Sequence, residues 1–332
     1  MARPSGSRRT QKLRPLSLDG VTTYPLATRE SKVSRSQLAR PHRRGGSLAS
    51  FISSLPRVLA GDTLRELRDA VLRARAKRRP IVWGLGAHVI KVGLSPVLID
   101  LMERGFVTGI ALNGAGIVHD FEMAVSGATS EDVQAGLGRG EFGMARETGE
   151  ELGRALVEGD RDGIGLGASV GRYLSERRPR ARHLELSLFA AAWRLGLPAT
   201  VHVAIGTDIV HVHPACDPAA LGRATHLDFR LLAAEVARLG GGGVYLNVGS
   251  AVVLPEVFLK ALTLARNLGC RVTGFSTANL DFIQSYRPGV NVVERPVAGH
   301  GRGFRLTGHH EILVPLVAAA LVEQAGGRRG AR

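Results

Sequence analysis

Histidines, carboxylates and a lysine gather in this sequence just behind short apolar runs. Behind 106–112 stands Asn113-Gly-Ala-Gly-Ile-Val-His119-Asp120-Phe-Glu122, and behind 200–204 stands Gly206-Thr207-Asp208-Ile-Val-His211-Val-His213. Asn247-Val-Gly-Ser250 closes the run 243–248, Thr277-Ala278-Asn279 and Asp281 come after 271–276, and His309-His310-Glu311 opens the last helical pattern. His119 and His213 suit proton transfer near neutral pH. Asp208 orients a cofactor or substrate, or else caps a helix. Lys91, one of few lysines in an arginine-dominated chain, offers an amine nucleophile or a plain surface charge. A metal is the alternative chemistry. His211 and His213 alternate as strand neighbours do, and with His119, His309, Glu311 and Asp208 they form a ligand set for a metal-assisted hydrolase or lyase. Two histidines without a fixed third ligand make a weak metal pattern.

Such groups need elements that bring them to one place. Leu64, Leu67, Val71 and Leu72 recur at helical spacing after Asp62, which reads as an N-cap, and the basic cluster 77–79 with Pro80 ends that helix. A buried strand is expected at 81–85 and a helix at 95–103. The alternation repeats, with strands expected at 106–112, 200–204, 243–248, 271–276 and 291–293. Helices are expected at 144–157, 184–195, 229–239, 254–267 and 312–322. Parallel strands need crossovers and bury both faces, so this order predicts an α/β fold, a Rossmann-like parallel sheet with helices on both faces. Ligands of such sheets bind at the carboxyl ends of the strands, where the polar clusters fall. The glycines do not spell a dinucleotide fingerprint. Val170 replaces the last glycine after Gly163, Gly165 and Gly167, and Val89 does so after Gly84 and Gly86.

Composition narrows the class. The 332 residues are 44% hydrophobic and 22% charged, as in globular proteins. The net charge of +15 is mostly terminal: residues 1–44 hold 11 Lys/Arg against 2 Asp/Glu, and Arg328, Arg329 and Arg332 add three more. Without aromatic residues interleaved as base-stacking platforms, that distribution argues against nucleic-acid binding. The reading is a basic, largely disordered tail over 1–45, one domain over 46–325 and a disordered Gly/Arg tail over 326–332, with 22–26 docking on the body. No apolar run is long enough for a membrane span or a signal peptide. Cys216 and Cys270 lack metal or disulfide spacing, which fits a reducing, cytoplasmic location.

The motifs carry a resemblance. Gly114-Ala-Gly-Ile-Val-His-Asp120, Thr207-Asp208, Gly241-Gly-Gly-Val244, Thr277-Ala278 with Arg287-Pro288, and the final helix with Pro315-Leu316 resemble, in the same order, segments of the deoxyhypusine synthase family. The resemblance covers about residues 80–325. It implies a Rossmann-like NAD-binding domain, a homotetramer built as a dimer of dimers, and NAD-dependent transfer chemistry on a small amine. It implies nicotinamide binding by Ala87, His88, Asn113, Gly114, Ala115, Gly116, Asp208, Gly242, Gly243, Thr277 and Ala278, with His309 at a cofactor-binding position.

The departures are chemical. The family forms an imine on a lysine of a Trp-Gly-Lys triplet, but here the stretch reads Arg287-Pro-Gly-Val-Asn-Val-Val-Glu-Arg-Pro296, and no lysine follows Lys260. Arginine is too basic to substitute. His213 and His309 stand where aspartates are expected, and Asn247 where a histidine is. Exchanging carboxylates for imidazoles is expected to weaken attraction for a polycation. The sequence therefore predicts NAD-dependent transferase or redox chemistry other than deoxyhypusine synthesis, carried by His119, His213, Asp208 and Lys91. A non-catalytic nucleotide-sensing scaffold, its basic tail touching an acidic partner, is the remaining alternative.

Overall fold

A computed structural model describes residues 13–325. The tail expectations for 1–12 and 326–332 lie outside the described residues. Helices α1 (Leu48–Ser54) and α2 (Leu59–Ala76) precede strand β1 (Ile81–Leu85), and α3 (His88–Lys91) and α4 (Ser95–Glu103) lead to β2 (Gly109–Asn113). A long crossover of α5 (Gly114–Ser126), α6 (Val133–Leu137), α7 (Arg146–Arg161), α8 (Leu166–Arg177) and α9 (Leu188–Leu195) reaches β3 (Ala199–His202). Then come α10 (Pro218–Ala237), β4 (Val244–Val248), α11 (Val253–Asn267), β5 (Ser276–Asp281), α12 (Tyr286–Pro288), β6 (Arg302–Thr307) and α13 (His310–Ala325).

The strands form one six-stranded sheet in the order β3-β2-β1-β4-β5-β6, all pairs parallel. Chain order reverses direction between β1 and β4, the point at which open sheets of this kind leave a crevice at their carboxyl edge. Each central strand buries both faces. Trp83 and Leu85 pack with α2, α4, α9 and α13 on one side, while Val82 and Tyr245 pack with α10 and α11 on the other. Both layers are needed because every residue of β1 and of β4 is buried. Helix α8 lies unusually close to its neighbours. A Cβ on Gly167 would stand 2.2 Å from the Ala199 carbonyl, and one on Gly171 2.4 Å from that of Phe189.

Several expectations need correction. The run 291–293 is a π-helical turn (Gly289–Glu294) between Pro288 and Pro296, and β6 lies beyond it. Strand β5 begins where the expected run 271–276 ends, because Ser276 is the residue that pairs with Val244. Asp62 does not cap α2. Val58 holds that place without a side-chain bond, and Asp62 sits in the first turn, 3.4 Å from Arg65. Residues 203–217 form turns and bends, so His211 and His213 do not alternate on a strand. Tyr24 and Leu26 are exposed, leaving 22–26 undocked on this chain. No described helix is long and apolar enough to cross a membrane.

Candidate functional site

Helix α5 starts directly from the carboxyl end of β2 and carries Ala115, Val118, His119 and Glu122 at i, i+3, i+4 and i+7, a single helical face. That face lines a cavity of about 200 Å³, closed by Lys91 from the end of α3, by Ser130, Glu131, Val133 and Phe142 from the segment after α5, and by Thr207, Asp208 and Ile209 beyond β3. The cavity therefore sits at the carboxyl edge of β1, β2 and β3.

Asp208 is buried and holds two loops together. One carboxylate oxygen accepts from the Ala115 N–H at 3.1 Å, the other from the Ala204 N–H at 2.8 Å. It caps the amino end of α5 across the chain, satisfying one of the donors that every helix start leaves free. Gly114 is small for this reason, since a Cβ there would meet the Asp208 carboxyl carbon at 2.6 Å. A Cβ on Gly116 would meet Leu112 at 2.7 Å. At both glycines the place of a Cβ is taken by a neighbouring side chain of this protein.

His119 is half-buried, with Nδ1 2.7 Å from the Thr129 hydroxyl. Thr129 in turn donates to Glu122 Oε2 at 2.5 Å, and Thr148 donates to Glu122 Oε1 at 3.2 Å. Burial, then the nearby Lys91 cation, brings the His119 pKa down from 6.5 to about 4. The ring is neutral at physiological pH, with a nitrogen available for a proton. Glu122, Glu131 and Asp208 set three carboxylates against one lysine. Glu122 and Glu131, which the family resemblance did not point to, add two carboxylates to the lining beside Asp208.

A second group of side chains lies toward β4, β5 and β6. His310 is buried, with Nε2 3.3 Å from the Leu280 carbonyl and 3.5 Å from Asp281 Oδ1. Burial lowers its pKa against the opposing pull of Asp281. The exposed ring of His88 stands edge-on to it at 5.6 Å, and Phe282 covers both. Two buried atoms at this carboxyl edge, Asn113 Oδ1 and His310 Nδ1, have no partner.

The other expected residues fall elsewhere. His213 lies outside the cavity, against Gly149 of α7, and its Nδ1 accepts from the Ala215 N–H at 3.2 Å. His211 accepts from the Gly206 N–H at 2.9 Å, bracing its own turn. His309 is exposed, stacked on Phe282 and 3.8 Å from Glu311. Among the described residues no three His, Cys, Asp or Glu side chains converge to hold a metal, so His119, His211, His213, His309 and Glu311 do not form one centre. Gly242 and Gly243 precede β4, at the amino edge of the sheet, away from the cavity. Thr277 and Ala278 are fully buried inside β5, each facing a helix layer. The family's glycine and Thr-Ala elements therefore do not reach this site. Thr129 and Thr148 went unread as site residues. Glu122, three positions after His119 on one helix, had a legible signal; Thr129, beyond a turn, had none.

No protein-family model matches the chain, and no curated protein sequence matches it. Solved structures do. A conserved protein assigned to the LOR/SDH group from Methanococcus maripaludis S2 superposes with a TM-score of 0.52 at 11% identity, over 81% of this chain and 71% of that one. AgrE, in its ternary complex with ornithine and NAD+, gives a TM-score of 0.51 at 12% identity, over 79% of this chain. The match spans only 33% of AgrE. A protein assigned as deoxyhypusine synthase from Entamoeba histolytica gives 0.46 at 10% identity, over 86% of this chain and 96% of that one. At such identities the likeness is one of fold. The fold is a Rossmann-type α/β sheet, all parallel, in the order 3-2-1-4-5-6.

Proposed function

We propose that this protein binds NAD at the carboxyl edge of its sheet and performs redox or transfer chemistry on a small, amine-type substrate held in the cavity beside His119. The observation that carries the reading is the cavity itself, where a neutral histidine, a lysine and three carboxylates converge at the strand ends. The fold likeness to AgrE, whose complex contains ornithine and NAD+, supports the choice of cofactor and substrate class. Asn113 Oδ1 and His310 Nδ1, buried without partners, fit a ring that brings a hydrogen-bonding amide and hydroxyls. Ala87, His88, Asn113 and His310 would hold it. When bound, NAD supplies a hydride acceptor.

The chain does the rest. Glu122, Glu131 and Asp208 attract a cationic amine, and His119 takes a proton from the ligand at the nitrogen not bonded to Thr129. Lys91, exposed at the cavity rim, raises the acidity of an ammonium beside it and is the one amine placed to attack a carbonyl. Authentic deoxyhypusine synthesis is excluded from this reading, since no lysine follows Lys260 to carry the butylamine group.

Titration calorimetry with NAD tests the proposal. Saturable binding that weakens in Asn113→Asp, with the thermal midpoint unchanged, is expected. Absence of any binding heat at millimolar NAD refutes the cofactor assignment.

A further inference from the structure

A hydroxyl has one proton to give. Thr129 gives its proton to Glu122 Oε2 at 2.5 Å, so at 2.7 Å it can only accept from His119 Nδ1. Nδ1 must then carry the hydrogen, which leaves the lone pair on Nε2. Thr148 fixes the other oxygen of Glu122 at 3.2 Å, so the carboxylate cannot turn away. Glu122 lines the cavity as His119 does, which gives the far end of the chain of bonds its own exit. Simple histidine base catalysis would leave an imidazolium, and here burial and Lys91 oppose that charge.

We propose that His119, Thr129 and Glu122 form a proton wire, in which Thr129 and Glu122 let His119 accept a proton without ever becoming an imidazolium. This rests on the reading of the cavity as a site for a small amine. Nε2 takes a proton from the ligand's ammonium, which keeps the electron pair. The Nδ1 proton passes to Thr129 Oγ1, and the Thr129 proton passes to Glu122 Oε2. Three bonds to hydrogen form and three break; the imidazole ends neutral as its other tautomer and Glu122 ends as the carboxylic acid. Lys91, Glu122 and, across the cavity, Glu131 and Asp208 are the charged groups around the ring. Thr129 and Glu122 are positioning and relay residues, and within the wire His119 takes the ligand's proton.

The test needs neither substrate nor cofactor. Nitrogen-15 NMR of the full-length protein at pH 7 reads which ring nitrogen of His119 bears hydrogen. The Nδ1–H tautomer is expected in the wild type, lost in Thr129→Val and restored in Thr129→Ser. Glu122→Gln should keep the tautomer, because the amide oxygen still accepts from Thr129, while slowing exchange of the Nδ1 proton with water at least about tenfold. An Nε2–H tautomer in the wild type overturns the proposal even if Thr129→Val does not fold, and so does an unchanged exchange rate in Glu122→Gln. An Nδ1–H tautomer with slowed exchange in Glu122→Gln, in a protein that fails to bind NAD, supports the wire and removes only the cofactor assignment.

Discussion

His202 closes β3 at 5% exposure, its Nε2 3.0 Å from the Thr200 hydroxyl. Burial alone takes its pKa from 6.5 down to about 4. The folded chain therefore keeps this ring neutral at pH values where the unfolded chain protonates it. Its contribution to stability is present above pH 6.5 and is lost as the pH falls from 6.5 toward 4. At about 1.4 kcal/mol per pKa unit the full loss is about 3 kcal/mol, of which about 2 kcal/mol falls between pH 7 and pH 5. Asp120 and Asp228 act in the opposite direction. Burial pushes both up to about 7, so the folded state takes up protons that the unfolded state does not, and acidification stabilises it. The total pH dependence mixes these signs, and only a difference isolates His202. His202→Gln keeps an amide donor for Thr200 and cannot titrate. Urea unfolding followed by fluorescence of the buried Trp83, at pH 7 and pH 5, gives four midpoints. The wild type should lose about 2 kcal/mol more than the variant on acidification, a midpoint difference of about 0.7 M for an m-value of about 3 kcal/mol/M. Equal pH dependence of wild type and variant would refute the assignment of a buried, neutral His202.

NMR titration of the His119 ring should show a midpoint near pH 4, moving toward 6.5 in Lys91→Gln because the lysine is the second cause of the depression; an ordinary midpoint in the wild type contradicts the buried geometry. Asp208→Ala strands the Ala115 and Ala204 N–H groups and should cost about 3 kcal/mol in chemical unfolding, at about 1–3 kcal/mol for each buried donor left unpaired. A loss below about 0.5 kcal/mol, the range of surface changes, would mean the two loops are not held by this carboxylate. Gly86→Ala places a Cβ 1.9 Å from the Gly249 carbonyl oxygen, where β1 and β4 give way to their loops, and should destabilise by about 2–3 kcal/mol. An unchanged melting temperature would show that these turns do not touch. Should NAD turnover be found with any amine, Lys91→Arg separates an amine nucleophile, which it abolishes, from a surface charge, which it preserves.

The sequence by itself determined the class of fold and the edge of the sheet at which the polar side chains gather. Helix Ser95–Glu103 and strand Ile81–Leu85 stand where periodicity put them, because a fully buried strand and an apolar-faced helix are written in local pattern. His119 and Asp208 were readable for the same reason: each comes just after an apolar run, and in a parallel sheet the residues after a strand lie at its carboxyl end. Tertiary structure alone decided which strand end each glycine or threonine occupies. Gly242 and Gly243 match a family motif in composition but precede β4, and β5 starts late because its register is set by pairing with Val244, distant in sequence. The sixth strand was hidden because β6 buries only Phe304 and Leu306, whereas the more apolar stretch Gly289–Glu294 coils between prolines. Thr129, Glu122 and His119 meet only because the chain turns back at Gly127, and His213 leaves the site because its loop packs on α7. Local pattern selects an element; long-range pairing and packing decide what that element faces, and which side chains share a cavity is a matter of facing.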